Sequence, residues 1–202
     1  MSGLIRLVAL AVMLALAGCV TAENALSPND IANMNLTAVT VSFTPNALVA
    51  WDEGERAYAA AKGLSDTQLL AAMRTQEMKD YVRGMLAPRI KAGIEQAIAG
   101  QLVGSRPVRL EIVVRHFKTP SVASRILIAS DPEMTASATL VDARTGAVII
   151  AHPEIAAFVH RAGGLIGTAV TAAIDNARND TQEGLVIARY GQMYREWLIK
   201  GA

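Results

Sequence analysis

The sequence predicts an α+β fold, a single domain in which a mostly antiparallel sheet of about four strands is covered by three or four helices. Residues 107–117 alternate between apolar and polar side chains, which is typical of a strand with one solvent-facing side. Two further apolar runs, at 134–142 and 147–152, flank a turn sequence and predict a hairpin. Residues 65–100 place their apolar side chains at helical spacing.

The first predicted strand is formed by residues 36–43 and ends at the turn-forming residues 44–46. The side chains on its apolar side are Val39, Val41 and Phe43. Residues 47–62 allow two interpretations. Their first part fits an extended segment, whereas residues 55–62 are typical of a short helix closed by Gly63.

The longest periodic stretch, residues 65–100, begins with a capping box formed by Ser65 and Gln68. Pro88 has no backbone N–H, so it predicts a kink or a break near Ala87. Either two helices or one bent helix would then cover the sheet. The apolar residues of the second half are four apart: Ile90, Ile94 and Ile98.

In the strand at 107–117, His116 is predicted to continue the apolar side. The charged residues of the other side are Arg109, Glu111 and Arg115. A loop is expected at 118–131, and Gly146 can supply the left-handed position of the following hairpin turn. Residues 153–160 are consistent with one more short strand.

The last part of the chain predicts two helices. Residues 162–177 open with a glycine run that lacks the Lys-Ser/Thr ending of a phosphate-binding loop, so close helix packing is the preferred interpretation. Asp180 and Glu183 would together cap the final helix. The apolar stripe of that helix contains Val186, Tyr190, Met193, Tyr194 and Trp197.

The N-terminal residues have the pattern of a secretory leader. Arg6 is its only charge, residues 7–17 are apolar, and small residues precede Cys19, the only cysteine of the chain. About a dozen apolar residues are too few to cross a hydrocarbon core, which takes about 20 in a helix. A cleaved signal is therefore preferred over a spanning helix.

Leu16-Ala17-Gly18-Cys19 resembles the lipobox of bacterial lipoproteins. The resemblance implies signal cleavage between Gly18 and Cys19, and acylation of Cys19 by chains such as palmitate. It divides the chain into a signal peptide (1–18), a lipidated cysteine with a flexible tether (19–35) and an α/β periplasmic domain (36–202). An arm lying on the domain is the alternative to the tether. Val20 after the cysteine implies the periplasmic face of the outer membrane, with the inner membrane as the alternative.

The order of elements resembles uncharacterised alphaproteobacterial envelope lipoproteins and, more loosely, auxiliary lipoproteins that work beside envelope transporters. Two segments contribute to this resemblance, residues 141–146 and residues 190–198. Both patterns have low specificity, and no functional residue is carried over through them.

Composition excludes several function classes. The leader holds one base, Arg6, and no acid, so the mature chain has 18 basic and 18 acidic residues and lacks the basic footprint of a nucleic-acid-binding protein. The sequence predicts no catalytic, metal or cofactor site: no HExxH or GxSxG pattern occurs, and the histidines His116, His152 and His160 form no short ligand pair.

These observations lead to three hypotheses. The first is a non-enzymatic, membrane-anchored accessory module that binds another envelope protein through a sheet face or a helix groove. The second is a carrier or sensor that binds a lipid or other amphipathic ligand between the sheet and the helices containing Met73, Met78 and Met85, although core packing is the preferred interpretation of these methionines. The third is an envelope hydrolase that uses His116 or His152.

Overall fold

The computed structural model describes residues 22–119, 131–160 and 181–200. The elements in chain order are α1 (Pro28–Asn33), β1 (Met34–Trp51), α2 (Asp52–Lys62), α3 (Asp66–Ala72), α4 (Gln76–Ala97), β2 (Arg106–Thr119), β3 (Glu133–Asp142), β4 (Val148–Phe158) and α5 (Gln182–Lys200). The strands form one sheet in the order β1-β2-β3-β4. Only the β1–β2 pair is parallel, so the predicted α+β domain with a mostly antiparallel, four-stranded sheet is confirmed.

Helices α4 and α5 pack against each other and bury one face of the sheet, α4 over β1 and α5 over β3 and β4. Alternate residues of β2 face them, as predicted, and the isoleucines of α4 lie opposite in the same core. The fully buried residues of these two elements include Val108, Leu110, Ile112, Val114, Ile90, Ile94 and Ile98. The helices approach closely because glycines face the partner helix: a Cβ at Gly93 would overlap Ile187 of α5.

Several local predictions are confirmed. Ser65 and Gln68 form the reciprocal capping box of α3. Gly63 ends α2 in the left-handed conformation, with φ of 64°, and Gly146 takes the same conformation in the β3–β4 turn, with φ of 74°. Both interpretations of residues 47–62 hold, each for a different part of the segment. The chain is extended up to Trp51, and helix α2 begins at Asp52.

Of the two outcomes predicted near Ala87, a kink or a break, the break is wrong. Helix α4 continues through Pro88, and the interruption lies at residues 73–75, where the Thr75 hydroxyl accepts a hydrogen bond from the Met78 N–H and caps α4. Pro88 loses one backbone hydrogen bond, but Leu86 and Ile90 on either side are fully buried. Tertiary packing therefore maintains the helix where local propensity opposes it.

His116 was predicted to lie on the apolar side of β2, and this prediction is wrong. The strand contains a β-bulge between Val114 and His116. The extra residue shifts the alternation, so Phe117 is buried and His116 pairs with Glu133 on the opposite face. The predicted end of the first strand at residues 44–46 is also wrong. These residues form a larger bulge, and β1 rejoins β2 at Leu48.

Residues 22–35 lie on the domain, which is the arm alternative and not a flexible tether. Ser27 and Asp30 form a capping box for α1, and Ile31 and Met34 are buried in the core. The tether interpretation rested on the scarcity of large apolar residues in this segment, but the few that occur suffice to anchor it. The predicted loop at 118–131 and helix at 162–177 lie mostly or wholly outside the described residues, as does Asp180.

Candidate functional site

An open cavity of about 410 Å³ lies where the β1 bulge meets helices α2 and α4. We call it the bulge cleft. Its walls are the bulge itself, the C-terminal cap of α3 and one face of α4. The lining residues are Pro45, Asn46, Ala47, Leu48, Val49, Glu55, Met73, Met78, Lys79, Val82 and Arg83.

Arg83 holds the bulge in place. Its Nη2 donates to the backbone carbonyls of Pro45, at 3.4 Å, and Ala47, at 3.0 Å. The guanidinium carbon also lies 5.7 Å from the centre of the Phe43 ring. Residues 44–47 have no ladder partners on β2, so these contacts replace the hydrogen bonds that the bulge gives up.

The cleft is mainly apolar and opens onto exposed apolar side chains. Met78 and Val82 are buried at its base, whereas Met73 is 41% exposed and Leu48 is 67% exposed. Two of the three methionines that the sequence indicated, Met73 and Met78, therefore line one cavity. The third, Met85, packs against the core and is not part of the lining.

Three ionisable side chains line the bulge cleft. Arg83 is held by the bulge carbonyls, and the side chain of Lys79 is exposed and makes no hydrogen bond or ion pair with any described residue. Burial raises the pKa of the Glu55 carboxyl, an effect that a hydrogen bond from the Trp51 backbone opposes. The lining therefore carries two basic groups against one acid. These residues were not predicted from the sequence, because no local sequence pattern indicates that α4 contacts a bulge more than 30 residues earlier.

A second depression, of about 650 Å³, separates the outer faces of α4 and α5. Its end is closed by Arg89, which pairs with Glu183 of α5 at 2.6 Å and with Glu53 of α2 at 2.7 Å. The guanidinium of Arg89 also stacks on Trp51, 4.7 Å from the ring centre. Glu183 was predicted to cap the final helix, but its carboxylate forms this ion pair. The N-terminal contact is made by the Thr181 hydroxyl, which accepts a hydrogen bond from the Gly184 N–H.

The three histidines have separate partners. His116 Nε2 lies 2.9 Å from Glu133 Oε1, and His160 Nδ1 lies 2.8 Å from Asp131 Oδ2. The His152 ring packs edge-on against Trp197, and burial lowers the pKa of this imidazole. Within residues 22–119, 131–160 and 181–200, no cluster of three or more His, Cys, Asp or Glu side chains is placed to hold a metal ion.

The predicted lipidation and cleavage residues, Cys19 and Gly18, lie outside the described residues. The chain is fixed three residues after Cys19, where the Ala22 carbonyl accepts a hydrogen bond of 2.6 Å from the indole N–H of Trp197. Asn24 then donates from its side chain to the carbonyls of Trp197 and Leu198 at the C-terminal end of α5. No described helix is long and apolar enough to cross a membrane.

Comparisons with solved structures found low similarity throughout. A proposed lipoprotein from Caulobacter crescentus is 16% identical over 55% of this chain and 78% of its own, with a TM-score of 0.32. Protein XCC0632 from Xanthomonas campestris is 10% identical over 89% of this chain and 90% of its own, with a TM-score of 0.42. Lipoprotein GNA1162 from Neisseria meningitidis is 19% identical over 70% of this chain and 99% of its own, with a TM-score of 0.23.

The sequence comparisons are more direct. No curated protein matches the chain. Residues 85–202, which include most of α4, three of the four strands and α5, match the model of a family of unknown function. The chain therefore belongs to that family, DUF6778.

Proposed function

We propose that this protein is a lipid-anchored, non-enzymatic accessory protein of the bacterial envelope, which binds another envelope protein at the periplasmic face of the outer membrane. One observation carries the proposal. Leu16-Ala17-Gly18-Cys19 ends only three residues before the point at which the chain becomes fixed to the domain. The signal and the fold are therefore directly adjacent.

This spacing determines how far the domain would stand from its lipid. An extended chain spans at most about 3.3–3.6 Å per residue, so three residues reach roughly 10 Å. A flexible tether of sixteen residues would instead give an average of roughly 20–25 Å. A lipid on Cys19 would thus hold the C-terminal end of α5 close to the membrane surface.

The face of the sheet opposite α4 and α5 is our candidate for the partner surface. Four of its charged side chains form two ion pairs, Arg109 with Glu111 at 2.6 Å and Arg115 with Glu154 at 2.7 Å. Small and hydroxyl side chains lie between these pairs on β3. A polar surface without a dominant charge suits a protein partner better than a nucleic acid.

The proposal is tested by replacing the thiol. Cys19→Ser should leave an unprocessed precursor that incorporates no labelled palmitate, because transfer of the diacylglyceryl group requires a thiol at this position. Val20→Ala is the matched control, since it changes the next residue and keeps Cys19. Palmitate incorporation by Cys19→Ser at the level of Val20→Ala would contradict the proposal.

Crosslinking tests the accessory role. We expect the wild-type protein, crosslinked in intact cells, to be recovered with one recurrent envelope protein, and the Cys19→Ser precursor to lose that product. Recovery of the protein alone with crosslinkers of several lengths would argue against a protein partner. Density-gradient separation of the two membranes assigns its location, for which we expect the outer membrane.

A further inference from the structure

We propose that the bulge cleft binds a single-chain fatty acid, with its carboxylate beside Lys79 and its hydrocarbon chain between Met73, Met78 and Val82. This ligand site is independent of the membrane anchor at Cys19 and of the protein partner. It corresponds to the amphipathic-ligand hypothesis from the sequence but lies at the edge of the sheet, where the β1 bulge opens it.

The size and the lining of the cleft favour a small amphipathic ligand. Its volume of about 410 Å³ is at the lower end of the range of about 300–1,000 Å³ that is usual for ligand pockets. Such a volume suits one hydrocarbon chain better than the two chains of a phospholipid. Met73 and Met78 have flexible, polarizable side chains that adjust to a chain without a fixed shape.

The charges of the lining favour an anionic head group. The side-chain ammonium of Lys79 has no partner among the described residues, and the Nε of Arg83 is buried without a hydrogen-bond acceptor there. A buried donor without an acceptor is unfavourable, and a ligand that supplies an acceptor would remove this penalty. Glu55 is the only acid of the lining, so the net charge that a head group would meet is positive.

The exposed apolar side chains at the cleft also favour a fatty acid as its ligand. Met73 and Leu48 present apolar surface beside the cleft, where a hydrocarbon chain would cover part of it. Leu70, in α3, is 67% exposed but does not line the cleft. It therefore provides a control position for any substitution made at Met73.

The test uses the protein as its host processes it, purified from the host membranes and exchanged into lipid nanodiscs. A long-chain fatty acid carrying a diazirine is added and photolysed, and the labelled peptides are identified by mass spectrometry. We expect saturable labelling in residues 45–49 and 73–83. Excess unlabelled palmitate should compete, and the long-chain alcohol should compete less well, since it lacks the carboxylate.

Two pairs of variants identify the contacts. Met73→Lys should reduce the affinity about tenfold, because it places a charge in the apolar wall, whereas Leu70→Lys should not change it. Lys79→Gln should reduce the affinity about fivefold, and Arg74→Gln, which removes an equal charge outside the cleft, should leave it unchanged. Thermal unfolding of each variant shows that the fold is retained.

Two results would overturn the proposal. One is labelling that does not saturate or that spreads over the surface without enrichment at the cleft. The other is an equal loss of labelling in the members of each pair, because the effect would then be independent of the cleft. Equal competition by the long-chain alcohol and by palmitate would remove the role of Lys79 and contradict the head-group assignment.

Discussion

Replacing Arg89 by methionine should destabilise the protein substantially, because Arg89 connects three helices. It joins Glu53 of α2 and Glu183 of α5 to α4, and it stacks on the buried Trp51. Methionine keeps an unbranched stem and removes the charge and the donors. The variant therefore tests the ion pairs and the stacking, while most of the packing is retained.

The magnitude follows from the exposure of each partner. The exposed pair with Glu53 contributes about 0.2–1 kcal/mol, and stacking on Trp51 about 0.5–1 kcal/mol. Glu183 has only 8% of its side chain exposed, so losing its partner costs about 1–3 kcal/mol; Arg89 itself is 40% exposed, which rules out the larger cost of a fully buried pair. Together these contributions amount to about 2–5 kcal/mol.

Urea unfolding followed by circular dichroism measures this loss, and thermal unfolding should show a decrease in Tm of roughly 4–20 °C. Lys91→Met is the matched control, because Lys91 forms an exposed ion pair with Glu95 on the same helix. The control should cost less than about 0.5 kcal/mol. Adding Glu183→Gln to Arg89→Met should recover part of the stability, since it removes the unpaired buried charge. Equal effects of Arg89→Met and Lys91→Met would refute the reasoning.

Two further predictions concern helix packing and pH. Gly93→Ala should destabilise the protein by about 1–3 kcal/mol, because its Cβ would overlap α5, whereas Gly84→Ala on the same helix has open space and should stabilise it by about 0.5–1 kcal/mol. Unfolding midpoints of the two variants check the sign, and a stabilising Gly93→Ala would contradict the close approach of α4 and α5. A hydrogen bond from Arg106, with backbone N–H groups of the turn, lowers the pKa of Asp142 to about 2. This carboxylate therefore stabilises the fold above its unfolded pKa of about 3.9, and the contribution is lost as the pH falls towards 2. Asp142→Asn should lower stability at pH 7 and reduce its decline between about pH 4 and 2, as measured by urea midpoints; an unchanged decline would contradict this assignment.

The parts of the fold that could be predicted are those in which sequence period and burial agree. The alternation of β2 and the isoleucines four apart on α4 identify their buried faces correctly, since each element has one face towards the core. His116 was misplaced because one inserted residue reverses the alternation, and a bulge leaves no sign in the local pattern. At Pro88 a break is wrong because the helix is maintained by packing against other elements, and this packing is not visible in the local sequence.

The candidate site was predictable only in part. The methionine spacing indicated Met73 and Met78, but the cleft also depends on Arg83 binding carbonyls of the β1 bulge, a contact between distant parts of the chain. The N-terminal arm is a similar case. Its attachment depends on Trp197 of α5, at the other end of the sequence. Such contacts depend on tertiary structure and have no local sequence signature.

The mature mass of the protein is the decisive measurement for lipid anchoring. We expect the protein purified from its native membrane to lack residues 1–18, and intact-mass and N-terminal peptide analysis to find a diacylglyceryl group and an amide-linked acyl chain on Cys19. A protein that retains its leader, or one whose Cys19 is a free thiol, would contradict lipid anchoring.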